Sequence, residues 1–197
     1  MGETRFEGLR EYAREPVKRA ALRARVQRPW RRLRFHSFGE RSVLDRPEFV
    51  YGAYKIAIGD DVVILRGAWL SVEKPAWDEG EEPALRIGDR VAIRPRVAIS
   101  ATQSVVIEDD VLIAKDCSIV DSDHSHAGPA ENVLYNPVEA SPIRIGQGTW
   151  LGDRVSVLRG SDIGRHCTIG AGSVVRGQIP DYSVAVGAPA RVVGSTR

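Results

Sequence analysis

Aliphatic side chains recur at every sixth position through most of this chain. Ile58, Ile64 and Leu70 open the series, and Ile87, Ile93 and Ile99, then Ile107, Ile113 and Ile119, continue it. An unbroken run of Ile145, Leu151, Val157, Ile163, Ile169 and Val175 closes it, giving fifteen repeats. Gly, Ala, Asp or Glu often follows the aliphatic residue, as in Ile58-Gly59, Ile87-Gly88, Ile107-Glu108 and Ile163-Gly164. Four positions after it stands a small or β-branched residue such as Val62, Ala68, Val91, Thr149, Val155, Ser161 or Ser173. A period of six is neither helical nor the simple alternation of a strand. It fits a short strand and a turn, repeated three times per triangular coil, with the aliphatic side chains stacked inward. Fifteen repeats make five coils, and at a strand spacing of ~4.8 Å a prism about 24 Å tall. Phe38, Leu44 and Val50 keep the spacing and predict a sixth, less regular coil at the open end. The fold class is therefore mainly β, a parallel β-helical solenoid whose ends need capping. Unrelated strands in a sandwich would not stay in phase over so many repeats.

The interruptions are informative. Eleven extra residues, rich in Glu and Pro, separate Leu70 from Ile87; two separate Ile99 from Ile107; twenty, residues 125–144, separate Ile119 from Ile145. An excursion of that last length in a compact solenoid is disordered or functional. It emerges beside the closely spaced pair His124 and His126.

The pattern resembles the left-handed parallel β-helix acetyltransferases of the galactoside, maltose and surface-polysaccharide O-acetyltransferase type. The resemblance covers residues 56–193 and is strongest in the segment from Pro142-Ile143-Arg144-Ile145-Gly146 to Trp150-Leu151-Gly152, then Ile169-Gly170-Ala171-Gly172-Ser173-Val174-Val175, Ile179-Pro180, and Val186-Gly187-Ala188-Pro189-Ala190-Arg191-Val192-Val193. It implies a left-handed winding, a homotrimer, and acetyl-CoA as cosubstrate in the cleft between subunits, with no metal required. It also implies a catalytic base five residues after a core aliphatic, and Ile119 plus five is His124.

The chemistry of acyl transfer supports a base at that point. A hydroxyl is a poor nucleophile at neutral pH, and an imidazole, titrating near ~6.5, suits removal of its proton during attack. His126 is the rival base or an acceptor contact, and Asp121 and Asp123 are candidates to orient the imidazole or bind the acceptor. The resemblance assigns coenzyme contacts to Trp150, Asp153, Ala171, Arg176, Gly177 and Arg191. The family often carries Lys where this chain has Gly177, so Arg176 is the expected substitute. Arg94 stands where the sugar acetyltransferases place an Asn against the acceptor, which points to an anionic or phosphorylated acceptor. His36 and His166 read as surface residues.

Composition changes the picture at the two ends. Residues 1–34 hold eleven Arg or Lys against four Glu, while the rest of the chain has seventeen basic and twenty-two acidic residues. This basic head has helical spacing at Phe6, Leu9, Ala13, Val17, Ala20 and Ala24. It is expected to cap the solenoid or to lie on an anionic membrane surface. The organisation is then a helical segment 1–34, a solenoid 35–193 with its protruding loop, and a tail 194–197. No nucleic-acid partner is expected. The two cysteines, Cys117 and Cys167, fall in the small slot of the repeat and do not form a disulfide framework. No stretch approaches the ~18 apolar residues of a membrane span. These features favour a cytoplasmic enzyme, peripheral at the inner membrane face if the head binds lipid.

The function expected is O-acetyl transfer from acetyl-CoA to a sugar or lipid-linked saccharide in surface polysaccharide or glycolipid synthesis. The alternatives are amino-sugar N-acetylation, a carbonic-anhydrase-like zinc enzyme, and a binding solenoid without catalysis. The zinc reading needs three converging histidines, and only His124 and His126 lie close in sequence.

Overall fold

The computed structural model describes residues 35–73, 80, 82–125 and 132–197. The expectations for residues 1–34 and for His126 lie outside the described residues. Among the described residues no helix is long and apolar enough to cross a membrane.

The hexad builds its strands by a simple division of labour. The aliphatic residue turns inward and its neighbours turn out, so each strand is only two to four residues long before a turn redirects the chain. One full coil runs through Leu85–Ile87, Ala92–Ile93 and Ala98–Ala101. Each solenoid strand then pairs in parallel with its counterpart one coil on, and with one antiparallel strand added at the far end of the second sheet this gives three sheets of seven, eight and six strands. We number these sheets first, second and third, after the order in which a coil visits them. The register is set by the repeat itself: Ile58 pairs with Ile87, Ile87 with Ile107, Ile107 with Ile145, and Ile145 with Ile163. All fifteen hexad aliphatics are buried in one continuous core. The sixth coil expected at the open end is present, with strands Ser37–Phe38, Val43–Leu44 and Phe49–Tyr51.

The far end departs from the expectation. Ile179 and Ala185 start a further coil that the spacing from Val175 obscures. The strand Ser183–Gly187 then receives Ala190–Ser195 antiparallel. That last strand covers the exposed edge of the second sheet, the cap such an edge needs. It also carries ordered structure two residues past the expected boundary at 193.

The turns explain the rest of the hexad. At the corner between the first and second sheets, Asp61, Arg90, Asp110, His166 and Tyr182 all take positive φ between 54° and 61°. Non-glycine residues adopt this region only when the surroundings compensate. Here the coils do so by pairing charges along the corner: Arg41 with Asp61, and Arg90 with Asp109 and Asp110. The second corner repeats the device with Arg96 and Asp116. The glycine after the aliphatic has its own cause. A Cβ on Gly146 would lie 2.5 Å from the carbonyl carbon of Gly164 on the next coil. The small slot fastens coils by hydrogen bonds: Thr149 Oγ1 donates to Gly164 O at 2.9 Å and accepts from Cys167 N at 3.1 Å.

Every interruption of the period follows the third strand of a coil. These insertions, and the two extra residues between Val50 and Ile58, therefore leave from one corner, between the third and first sheets, and that corner is where chemistry can be built.

Candidate active site

The long insertion begins earlier than its sequence suggests. Asp121, directly after the strand Ser118–Val120, starts the departure, and Ser122–His124 pairs antiparallel with Val138–Ala140 as a hairpin. A 3-10 turn at Val133–Tyr135 leads into the returning strand. His124 thus lies on the outgoing strand of the hairpin, beyond the coil corner, and its side chain is exposed in the single chain.

Asp121 anchors the base of this hairpin. Its Oδ1 accepts from Thr102 N at 2.7 Å and its Oδ2 from Gln103 N and Ser104 N at 2.8 Å each. These three N–H groups belong to the two-residue insertion one coil below, so the two interruptions hold each other. A fully buried carboxylate engaged in this way does not reach an acceptor or the imidazole. The expectation of Asp121 as a substrate contact is corrected to a structural anchor.

Alternation along the hairpin sorts its side chains. Successive residues of a strand face opposite ways, so Ser122 and His124 share one face while Asp123 turns to the other. Ser122 Oγ bonds Thr102 Oγ1 at 3.0 Å, which directs the His124 face toward the coil below. Asp123 lies directly opposite Glu139, and both face Arg159 on the coil above. Arg159 Nε lies 2.8 Å from Asp123 Oδ1, and its Nη2 lies 2.8 Å from Glu139 Oε2. Immediately after His124, Ser125 N donates to Pro137 O at 2.9 Å, and Ser125 O accepts from Asn136 Nδ2 at 2.7 Å. The candidate base is held on both sides along the chain while its ring stays open. Sequence reasoning missed Arg159, Glu139 and Asn136, since none sits in a motif and the last two lie within the irregular insertion.

The expected coenzyme and acceptor residues lie elsewhere on the prism. Arg176 and Gly177 stand at the third corner two coils above the hairpin. Asp153 and Ala171 stack at the second corner, between the second and third sheets, where Gly172 N donates to Asp153 O at 2.8 Å. Asp153 also pairs with Lys115 at 3.6 Å. Arg94 is half-buried at that same corner, two coils below Asp153. Trp150 projects from the outer face of the second sheet with 49% of its surface exposed. It lines a shallow cleft of about 350 Å³ with Gly148, His166, Thr168, Tyr182 and Arg197. His166 itself stacks on Tyr182 at 5.2 Å. Arg191 is exposed on the capping strand. The single chain therefore turns Asp123 away from His124 toward Arg159, and leaves Trp150, Arg94, Asp153, Ala171 and Arg191 across the width of the third sheet.

Two features of the residues expected at the coenzyme suit an anionic ligand. Most described arginines on the corners are paired with carboxylates, but Arg176 and Arg191 have no acidic partner among the described residues. Gly177 has φ +83°, and a Cβ there would meet nothing within 4 Å, so that position opens onto free space. Among the described residues no three His, Cys, Asp or Glu side chains gather as a metal-binding group.

Comparison with known proteins agrees with this architecture. Residues 142–177 match the family described as bacterial transferase hexapeptide (six repeats). A protein of Mycobacterium tuberculosis named as a probable acetyltransferase, Rv3034c, is 38% identical over 84% of this chain and 56% of its own. WbbJ of Escherichia coli, provisionally named a lipopolysaccharide biosynthesis O-acetyl transferase, is 39% identical over 53% of this chain and 57% of its own. The chain thus spans just over half the length of these curated relatives. Among solved structures, AntD, an N-acyltransferase from Bacillus cereus in complex with dTDP and 3-hydroxybutyryl-CoA, superposes with a TM-score of 0.71. The match is at 18% identity and covers 87% of this chain and 88% of that one.

Proposed function

We propose that this chain, whose residues 142–177 match the bacterial transferase hexapeptide repeats, is a left-handed β-helix transferase that moves an acetyl group from acetyl-CoA to a sugar hydroxyl. The observation that carries this reading is His124, an exposed imidazole on a hairpin braced from the coils above and below. In the reaction the acceptor oxygen attacks the thioester carbonyl while His124 takes the hydroxyl proton. The tetrahedral oxyanion then collapses, the carbon–sulfur bond breaks, and the imidazolium returns the proton to the departing thiolate. The products are an acetyl ester and free coenzyme A thiol.

Arg176 and Arg191 serve the coenzyme phosphates through charge-assisted hydrogen bonds, with Arg176 supplying the charge that Gly177 lacks. Asp153 and Ala171 contribute through the backbone, and Trp150 through its exposed ring. Arg94, with no acidic partner among the described residues, and Arg66 one coil below it, also without one, favour an anionic acceptor. Similarity to WbbJ supports a surface saccharide or glycolipid as that acceptor, with His126 as a further candidate contact to it.

The split of these residues between two corners supports a homotrimer in which one subunit's hairpin faces another's second sheet. That sheet offers an apolar surface where Leu112 and Trp150, paired in register, are both exposed. The proposal places the enzyme in the cytoplasm, where acetyl-CoA is available. The test is free-thiol release from acetyl-CoA across a panel of neutral, phosphorylated and amino sugars and lipid-linked saccharides, with light scattering for the assembly. Turnover with a hydroxyl acceptor is expected. Turnover with amino sugars alone would replace the ester reading by amide formation, and no turnover with any acceptor would leave a binding solenoid.

A further inference from the structure

The geometry points to Arg159 as the positioning residue that sets the orientation of the His124 hairpin, an inference that rests on the reading of His124 as the base. Asp123 and Glu139 are directly opposed across the two strands, and like charges in that relation push a strand pair apart. The hairpin's other holds, Ser122 on Thr102, Ser125 N on Pro137 O and Asn136 Nδ2 on Ser125 O, bring no positive charge to offset them. Its ladder is three residue pairs long, and an isolated two-stranded ribbon is marginal in water. Arg159 meets both carboxylates at once from one edge of its planar fork: Nη2 donates a hydrogen bond to Glu139 Oε2 at 2.8 Å, and Nε forms an ion pair with Asp123 Oδ1 at 2.8 Å without hydrogen-bond alignment. Its side chain is 28% exposed, against 63% for Arg41 and 60% for Arg96, so this contact is less screened than those of the corner ladders.

The turn that carries the anchor has hydrogen bonds of its own. Gly160 N donates to Ser141 O at 3.1 Å, and Ser161 Oγ donates to Leu158 O at 2.6 Å, fixing the turn that presents Arg159. Because Asp123 and His124 point to opposite faces, the clamp pulls on the face away from the imidazole and leaves the ring open. Arg159 touches neither base nor acceptor; it holds the strand from which the base projects. Lysine would supply the charge without the fork that spans both strands.

The full-length chain carrying Arg159→Gln tests this by hydrogen exchange, which needs no acceptor, and by thiol release from acetyl-CoA with the best acceptor from the sugar panel. Amides of residues 122–125 and 138–140 should exchange at least about tenfold faster while the solenoid strands keep their rates. Turnover should fall about 10- to 100-fold, as expected for a misplaced catalytic group, with the Michaelis constant for acetyl-CoA changed less than about twofold. Adding Glu139→Gln removes the repulsion and should restore much of both, whereas Arg159→Lys should restore only part. Wild-type exchange in the hairpin of Arg159→Gln would overturn the inference, as would a loss of turnover that Glu139→Gln does not relieve. Near-normal turnover by His124→Ala would instead remove the reading of the base, and the exchange result would still decide whether Arg159 holds the hairpin.

Discussion

Replacing Asp121 should destabilise the protein more than any other single carboxylate at its corners. In Asp121→Ala, three backbone N–H groups lose a charged acceptor held at 2.7–2.8 Å. Each such bond contributes ~1.5–3 kcal/mol, but Gln103 is exposed and its N–H can turn to water. The sum is therefore closer to about 3–4 kcal/mol than to three full bonds. In Asp121→Asn one oxygen can keep Gln103 and Ser104, and only Thr102 N then faces an amide donor, a loss of about 1.5–2 kcal/mol. At ~2–4 °C per kcal/mol for a chain of this size, the alanine variant should melt about 6–16 °C lower and the asparagine variant roughly half as much. Circular dichroism melts at one fixed protein concentration give the comparison. Because the carboxylate joins two insertions, amides of residues 102–104 and 122–125 should lose protection together. An alanine variant melting within about 2 °C of the parent would refute the anchoring role.

Other consequences follow from the charges and thiols. Arg41, Arg90 and Arg96 hold the carboxyls of Asp61, Asp110 and Asp116 below their ordinary value of 3.8, chiefly by side-chain hydrogen bonds. A depressed folded value means that this stability is complete above that pH and is lost as the pH falls through the folded values. Melting temperature should thus be insensitive to these groups between about pH 5 and 8 and should fall below about pH 4, less steeply at high salt; a flat profile down to pH 3 would contradict it. Burial raises the thiols of Cys117 and Cys167 above their ordinary range. Neither should react with iodoacetamide in native protein at pH 8, and both should react once unfolded; rapid native alkylation would show the small slot to be open. Arg176→Ala with Arg191→Ala should raise the Michaelis constant for acetyl-CoA by about tenfold or more with less effect on the acceptor, and an unchanged constant would remove both from the coenzyme site.

What the sequence reveals here is whatever repeats. Every hexad aliphatic from Ile58 to Val175 is a core residue, and the longest break marks the excursion that carries His124. The features that escaped are contacts between coils. Arg159 meets Asp123 and Glu139, and Asp121 meets Thr102, Gln103 and Ser104, only because stacking superposes residues that are about one coil or more apart in the chain. Their types and local spacing carry no mark of it. The start of the insertion is hidden for a related reason: counting in sixes assigns Ser122-Asp123-His124 to the hexad that opens at Ile119, and nothing local announces that the chain has already left the coil at Asp121. Ile179 and Ala185 escaped because the step from Val175 is short by two residues, which hides a coil that the hydrogen bonds make plain.

The account turns on His124, and turnover of His124→Ala against His126→Ala is its most direct test. With acetyl-CoA and the best acceptor from the panel, His124→Ala should lower turnover by about 10²–10⁴. Coenzyme affinity should change little, since the base acts mainly in the transition state. Melting temperature should hold as well, since the exposed ring makes no buried apolar contact. His126→Ala should lose far less. Near-normal turnover in His124→Ala beside an inactive His126→Ala would contradict the assignment and move the proton transfer two residues along the insertion.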